Sequence, residues 1–307
     1  MELLEKRLVV VTGKGGVGKS TVALALGLAA ARAGKRTILC EVSAQEHLSH
    51  VFERAEVGFR EVEMVENLWA ISIDPDESMR EYVLLQLKVK AMRDLLFRSR
   101  IFNYLAAATP GLKELVTIGK IWELALDDRK VRSGHHYDLV IVDAPATGHG
   151  VGFLQTPRTF AEVARVGPIR NQAETLDKFI RDPKRTGVAV VALPEEMPVN
   201  ETAQLEHDLA TEVGVEVDQI FCNGLYPERF SAAELKRITK LTDPDLSDAA
   251  SAARQASLTE AARAADQRDQ LKRLRASTKA PVTELPFLFE PRIGVEEIEN
   301  LVAAVTG

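Results

Sequence analysis

The chain has 307 residues, 46% of them hydrophobic and 27% charged, the balance of a globular protein with ample material for a buried core. A formal net charge of -6 argues against nucleic acid as the main partner, because an acidic chain gains little from counterion release. Two cysteines, Cys40 and Cys222, each inside an apolar run, are too few for a four-cysteine metal cluster and read as small buried residues of a reducing compartment.

The opening MELLEKR is charged and runs straight into a strand, so no secretory pattern is expected there. The longest apolar run, 22-VALALGLAAA-31, is too short to span a bilayer, and a cytoplasmic protein without an integral membrane segment is expected. Short β-rich runs recur at 8-LVVVT-12, 37-TILCEV-42, 68-LWAISI-73, 138-DLVIVDA-144, 188-VAVVAL-193, 219-QIFCN-223 and 281-PVTEL-285. Most are apolar on both alternating faces, as strands covered on both sides must be. Helical patterns separate them, beginning with residues 20–34. The alternation predicts an α/β fold: a doubly wound, mostly parallel sheet in one domain spanning 1–307. Two inter-strand segments, about 75–137 and 148–187, exceed a single crossover and predict a helical cap. A third, about 228–279, reads as exposed helices of mixed charge.

The run after the first strand, 13-GKGGVGKST-21, fits the phosphate-loop pattern through Gly13, Gly18, Lys19 and Ser20. Backbone N–H groups along Gly13, Lys14, Gly15, Gly16, Val17, Gly18, Lys19, Ser20 and Thr21 would surround phosphate oxygens, backed by the next helix's N-terminus. Lys19 supplies a cation to the terminal phosphates and Ser20 a hydroxyl to Mg²⁺. The strand 138-DLVIVDA-144 carries Asp143 to the same sheet edge, where its carboxylate can hold that ion. The following Pro-Ala-Thr-Gly-His-Gly reads as a switch loop able to respond to the γ-phosphate. A second lysine, Lys14, occupies a position that the pattern leaves free.

GKGGVGKST resembles the deviant phosphate loop of the signal-recognition/MinD class of dimeric NTPases. DAPATGHGVGFLQTP is similar to the second switch of one branch, the arsenite-pump (ArsA) and tail-anchored-protein-targeting ATPases. Further matches are 110-PGLKEL-115, 194-PEEMPVNETAQL-205, 221-FCN-223 and 285-LPFLFEPRIGVEEIENL-301, so the resemblance covers nearly the whole chain. It implies that Lys14 reaches across a dimer interface to the partner's nucleotide, against the alternative of a solvent-facing lysine. It implies that Asn223 reads adenine, where otherwise it would be a turn residue before Gly224. It places Pro286 and Phe287 at the nucleotide. The implied ligands are ATP and Mg²⁺.

The match breaks at the first switch. Where the family has an Asp-Pro-Ala-His stretch, alignment puts Ser43, Ala44, Gln45 and Glu46. Serine cannot take a proton from water as a carboxylate can. Glu41, on the same strand face, or Glu46 could substitute. Otherwise hydrolysis is slow, or a homologous subunit in a heterodimer supplies the carboxylate where a homodimer would lack it. The segment after Asn223 has no cysteine for the targeting ATPases' zinc clamp, so no zinc is expected, and arsenite sensing lacks thiolates. His135 and His136 read as solvated, and His149 as a switch residue. The leading expectation is a dimeric ATPase switch whose cap, 81–108, either holds an apolar client segment or simply packs on the sheet. A MinD-like regulator without chaperone activity is the alternative. A small-molecule synthetase of the same class is a third reading.

Overall fold

The structure, a computed structural model, describes residues 2–42, 51–52, 57–86, 109–127, 129, 135–146, 149–164, 166–241, 246–290 and 292–306. Eight strands form one sheet: β1 (Leu8–Gly13), β2 (Thr37–Glu41), β3 (Val62–Val65), β4 (Leu68–Ser72), β5 (Leu139–Asp143), β6 (Thr186–Ala192), β7 (Gln219–Leu225) and β8 (Val282–Pro286). Their order is β3-β4-β2-β5-β1-β6-β7-β8, and every pairing is parallel except β3 with β4. The sequence reading missed β3. It is a short antiparallel edge strand, bulged between Glu63 and Val65, and joined to β4 by a tight turn in which Asn67 takes φ 63°. Four residues with one exposed glutamate give too little alternation to stand out.

Alternation along each strand feeds two cores. On β1, Val9 and Val11 face one core, with α1 (Lys19–Arg32), while Leu8 and Val10 face the other. Helix α1 is buried from Val22 to Ala31 because it lies between the sheet and the last helix, which is why it is apolar all round. The opposite face is covered by α3 (Leu112–Leu124), α4 (His149–Val163), α5 (Pro168–Ile180) and α6 (Glu196–Asp208). Helix α2 (Pro75–Gln86) packs on α3, and α3 on α4 and α5, so described parts of both long insertions meet on one face. Helices α7 (Ala232–Lys240) and α8 (Asp248–Ser277) follow β7, and α9 (Val295–Thr306) closes the series. No helix among the described residues is long and apolar enough to cross a membrane.

Buried polar groups fix the ends of elements. Glu206 of α6 accepts N–H bonds from Lys279 and Ala280, anchoring the chain as it enters β8. Arg129 is buried between Glu61 and Glu123, and Tyr137 donates its hydroxyl to Glu61 at 2.7 Å. That cluster ties the segment after α3 to the approach to β3.

Candidate active site

Strand β1 lies between β5 and β6, so its C-terminal end opens at the point where the connections diverge to either side, the usual place for a ligand in such a sheet. The chain leaves β1 through Gly13 and enters α1 through Gly18, whose φ of 93° is left-handed. Neither glycine is replaceable without strain. A Cβ on Gly13 would sit 2.4 Å from the Val191 carbonyl oxygen, and one on Gly18 would sit 2.3 Å from Asn223 Nδ2.

Register brings the acidic groups to this edge. Asp143 pairs with Val11 on one side and Glu41 on the other. Ser20, in the first turn of α1, donates its hydroxyl to Asp143 Oδ2 at 2.5 Å. Glu41 is buried at the end of β2, in step with Asp143, and Leu39 two residues before it faces the α1 core. By the two-residue period of a strand, Glu41 and Asp143 point to the same side. Ser43 and Glu46, the other first-switch candidates, lie outside the described residues.

Lys19 Nζ donates to the Lys14 carbonyl oxygen at 3.0 Å. Burial lowers its pKa, and the nearby Asp143 carboxylate opposes that shift. Lys14 turns the other way: its Nζ lies 2.6 Å from Glu201 Oε1 on α6. His149 and Gly150, read from sequence as part of a switch loop, already belong to α4. Gly150 fits against β1 so closely that a Cβ there would be 2.8 Å from Thr12 Oγ1.

A cleft of about 1070 Å³ runs from Gly16–Gly18 past Asn223 to Pro286 and Phe287. Asn223 donates Nδ2–H to the Val17 carbonyl oxygen at 2.9 Å, joining the end of β7 to the phosphate loop. Tyr226 stacks on Phe287 with ring centroids 4.6 Å apart, and Phe289 meets both edge-on. The outer wall is α8, through Arg263, Asp266 and Gln267 among others. The sequence reading missed this wall, treating α8 as a solvated face. A usable signal was present: Ala264, Leu271 and Leu274 are its buried residues, and Gln267 falls on the same stripe at helical spacing. The role of Glu201 was missed too, since nothing local connects it to Lys14.

The donor set fits a magnesium nucleotide: a glycine cradle that tolerates no side chain at either end, a lysine at its rim, and a serine–carboxylate pair beneath it. Fold and site together define a phosphate-loop nucleotide-binding protein of the doubly wound α/β class. The chain belongs to the anion-transporting ATPase family, whose model matches residues 6–172 and 162–250, a family of ATP-hydrolysing phosphate-loop proteins. It is 29% identical over 238 residues to ATPase BagA of Mycobacterium tuberculosis, covering 75% of this chain and 68% of that protein. It is 27% identical over 265 residues to ATPase GET3 of Chaetomium globosum, covering 74% and 76%. With the putative arsenical pump-driving ATPase of Halobacterium salinarum it shares 29% identity over 243 residues, but that alignment spans only 36% of the pump protein.

Both cysteines are buried. They sit on β2 and β7, with β5, β1 and β6 between them, so the two strands alone are roughly 19 Å apart at the usual spacing. Burial raises the Cys40 thiol far above its ordinary value and pushes Cys222 up to about 12. Among the described residues no group of three or more His, Cys, Asp or Glu is placed to hold a metal ion. His135 and His136 are exposed, and the His135 ring lies 5.0 Å from Trp69.

Proposed function

We propose that the protein is a Mg²⁺-dependent ATPase switch working as a pair of subunits, each a single phosphate-loop domain, in which nucleotide state governs the handling of a client protein. The Ser20–Asp143 contact beneath the phosphate loop carries this reading. A hydroxyl and a carboxylate already in contact under a phosphate cradle are the groups that hold Mg²⁺ in phosphoryl-transfer sites, where the ion neutralises charge between the β- and γ-phosphates.

In this reading Gly13–Thr21 bind the triphosphate through backbone N–H groups, and Lys19 leaves the Lys14 carbonyl to meet the terminal phosphates. Asn223 orients the base beside Pro286 and Phe287. Glu41, in register with Asp143, is the described carboxylate best placed to orient or deprotonate water, with Ser43 and Glu46 the neighbouring candidates. Lys14 exchanges Glu201 for the γ-phosphate bound by the other subunit, placing positive charge where negative charge develops. The pair is a homodimer or includes a homologous subunit, and no zinc is required to hold it.

An apolar groove of about 300 Å³ supports the client role. It lies between α2, α3 and α5 and is bordered by Met79, Tyr82, Val83, Leu115 and Trp122. Tyr82 and Val83 belong to the 81–108 cap, of which residues 87–108 lie outside the described set. A MinD-like membrane mode is less favoured, because the apolar side chains of α9, Ile298, Leu301 and Val305, are buried in the α1 core. The test is ATP turnover measured across protein concentration, with sedimentation in the presence and absence of ATP. Activity per subunit that rises with concentration, together with ATP-promoted dimers, is the expected result. Concentration-independent turnover by a monomer refutes the switch.

A further inference from the structure

β7 does not run as a regular strand past the cleft. Its ladder with β8 shifts between Cys222 and Leu225, where Gly224 takes φ 77°. A break of that kind takes backbone N–H and C=O groups out of the ladder, and they need other partners. One side chain meets a carbonyl inside the break and an N–H just past the strand's end. Gln267 of α8 donates Nε2–H to the Gly224 carbonyl oxygen at 3.1 Å, and its Oε1 accepts the Tyr226 N–H at 2.8 Å. A carboxamide can do this because it carries a donor and an acceptor on one planar group.

The position is as informative as the bonds. Ala264, Leu271 and Leu274 are the buried residues of α8, and Gln267 occupies the step between them where an apolar side chain would otherwise continue the stripe. Asn223, which immediately precedes the clamped turn, reaches the phosphate loop through Val17. Tyr226, at its other end, carries the Phe287 stack, and Arg263, one helical turn before Gln267, donates to the Tyr226 hydroxyl at 2.9 Å. The turn is therefore held from α8 at both its backbone and its ring. Gln267 lies beyond the residues matched by the family model.

We propose that Gln267 is a positioning residue for base selection. It fixes the Gly224–Tyr226 turn so that the Asn223 amide just before it and the aromatic stack discriminate an adenine from a guanine nucleotide. This rests on the reading of Asn223 as the base-contacting residue.

The test uses Gln267→Ala and the volume-conserving Gln267→Met, which keeps the packing stripe and removes both hydrogen bonds. Calorimetric titration with ADP and with GDP gives the selectivity, and steady-state ATP turnover separates KM from kcat. Both lost hydrogen bonds are internal to the protein, so only part of their energy reaches the nucleotide, and an ADP affinity about 5–20-fold weaker is expected. GDP affinity should change little, so the ADP/GDP ratio should fall by a similar factor. KM for ATP should rise while kcat falls less than twofold. Gln255→Ala, on the far part of the same helix, serves as the control and should leave the ratio intact. Equal losses for ADP and GDP, or an unchanged ratio in Gln267→Met, overturn the assignment. Asn223→Ala separates the two layers: if it leaves the ratio unchanged, base reading by Asn223 fails. If it collapses the ratio and Gln267→Met does not, only the role of Gln267 fails.

Discussion

Lys14 Nζ and Glu201 Oε1 stand 2.6 Å apart, so the second cation of the phosphate loop is engaged within its own subunit. Both side chains are partly exposed, which puts the pair in the range of about 0.2–1 kcal/mol. An attachment that weak can yield to a partner's phosphate. Glu201→Gln should release Lys14 and raise turnover at low protein concentration, by about fivefold at most. Lys14→Ala should lower kcat more than it lowers ATP affinity. A Glu201→Gln protein slower than wild type would show that the glutamate helps the lysine act.

The Ser20–Asp143 contact gives a sharper test. Asp143→Asn should lower turnover by about 10²-fold or more and raise the Mg²⁺ concentration needed for half-maximal activity. Lys19→Ala should weaken ATP binding or abolish turnover. Magnesium titrations that overlay for wild type and Asp143→Asn would remove Asp143 from the metal site.

Glu41 can be set against Ser43. A positioned base contributes about 10²–10⁴-fold. If Glu41 orients water, Glu41→Gln should lose about that factor with ATP affinity nearly unchanged, and Ser43→Asp should add little. If no carboxylate of this chain serves, wild-type turnover should be slow and Ser43→Asp should raise it. Fast turnover that survives loss of both Glu41 and Glu46 contradicts either version.

The Arg129 cluster sets an acid limit. Burial alone would raise the Glu61 pKa, but hydrogen bonds from Arg129 and Tyr137 outweigh it and hold the carboxyl below its ordinary 4.5. A lowered folded value means that its contribution is complete above about pH 5 and fades as pH falls through the folded pKa. Stability measured by denaturant titration should drop below about pH 4.5, and Glu61→Gln should flatten that limb. Arg129→Met leaves Glu61 without a cation, with the Tyr137 hydroxyl still donating to it, while Glu123 keeps Lys120 at 3.1 Å; the substitution should cost about 3 kcal/mol.

Arsenite should leave turnover unchanged, because Cys40 and Cys222 are buried on strands separated by three others. Stimulation that disappears in a Cys40→Ser, Cys222→Ser double variant is the contrary result.

Much of the site was legible because it is local. Gly13, Lys19 and Ser20 lie within one strand–loop–helix unit, and Asp143 ends an unmistakable apolar strand. Asn223 needed the family resemblance, since an asparagine before glycine is ordinary in a turn. What escaped depends on distance along the chain. Glu201 meets Lys14 only after β6 has passed beside β1, and Gln267 has a task only because β7 breaks at Gly224. The loop reading of His149 and Gly150 failed for another reason. Two glycines look like a hinge, yet Gly150 lies in the first turn of a helix, where its close fit against Thr12 leaves no room for a Cβ.

Helix α8 is 30 residues long, and its buried side chains, Ala264, Leu271 and Leu274, all lie in its second half. From Gln267 to its Asp248 end is about 28 Å at the usual rise per residue. A tilt of roughly 10° about the clamped turn would therefore sweep that end through about 5 Å, carrying α7, which is tied to it by Arg254 bonds to the Ile238 and Thr239 carbonyls. The helix is geometrically a pointer pivoted beside the Asn223 end of the cleft. Spin labels at Ala252 and Glu66 would read its swing between the empty and ADP-bound protein as a change in distance, and an invariant distance would mean that the pointer is fixed.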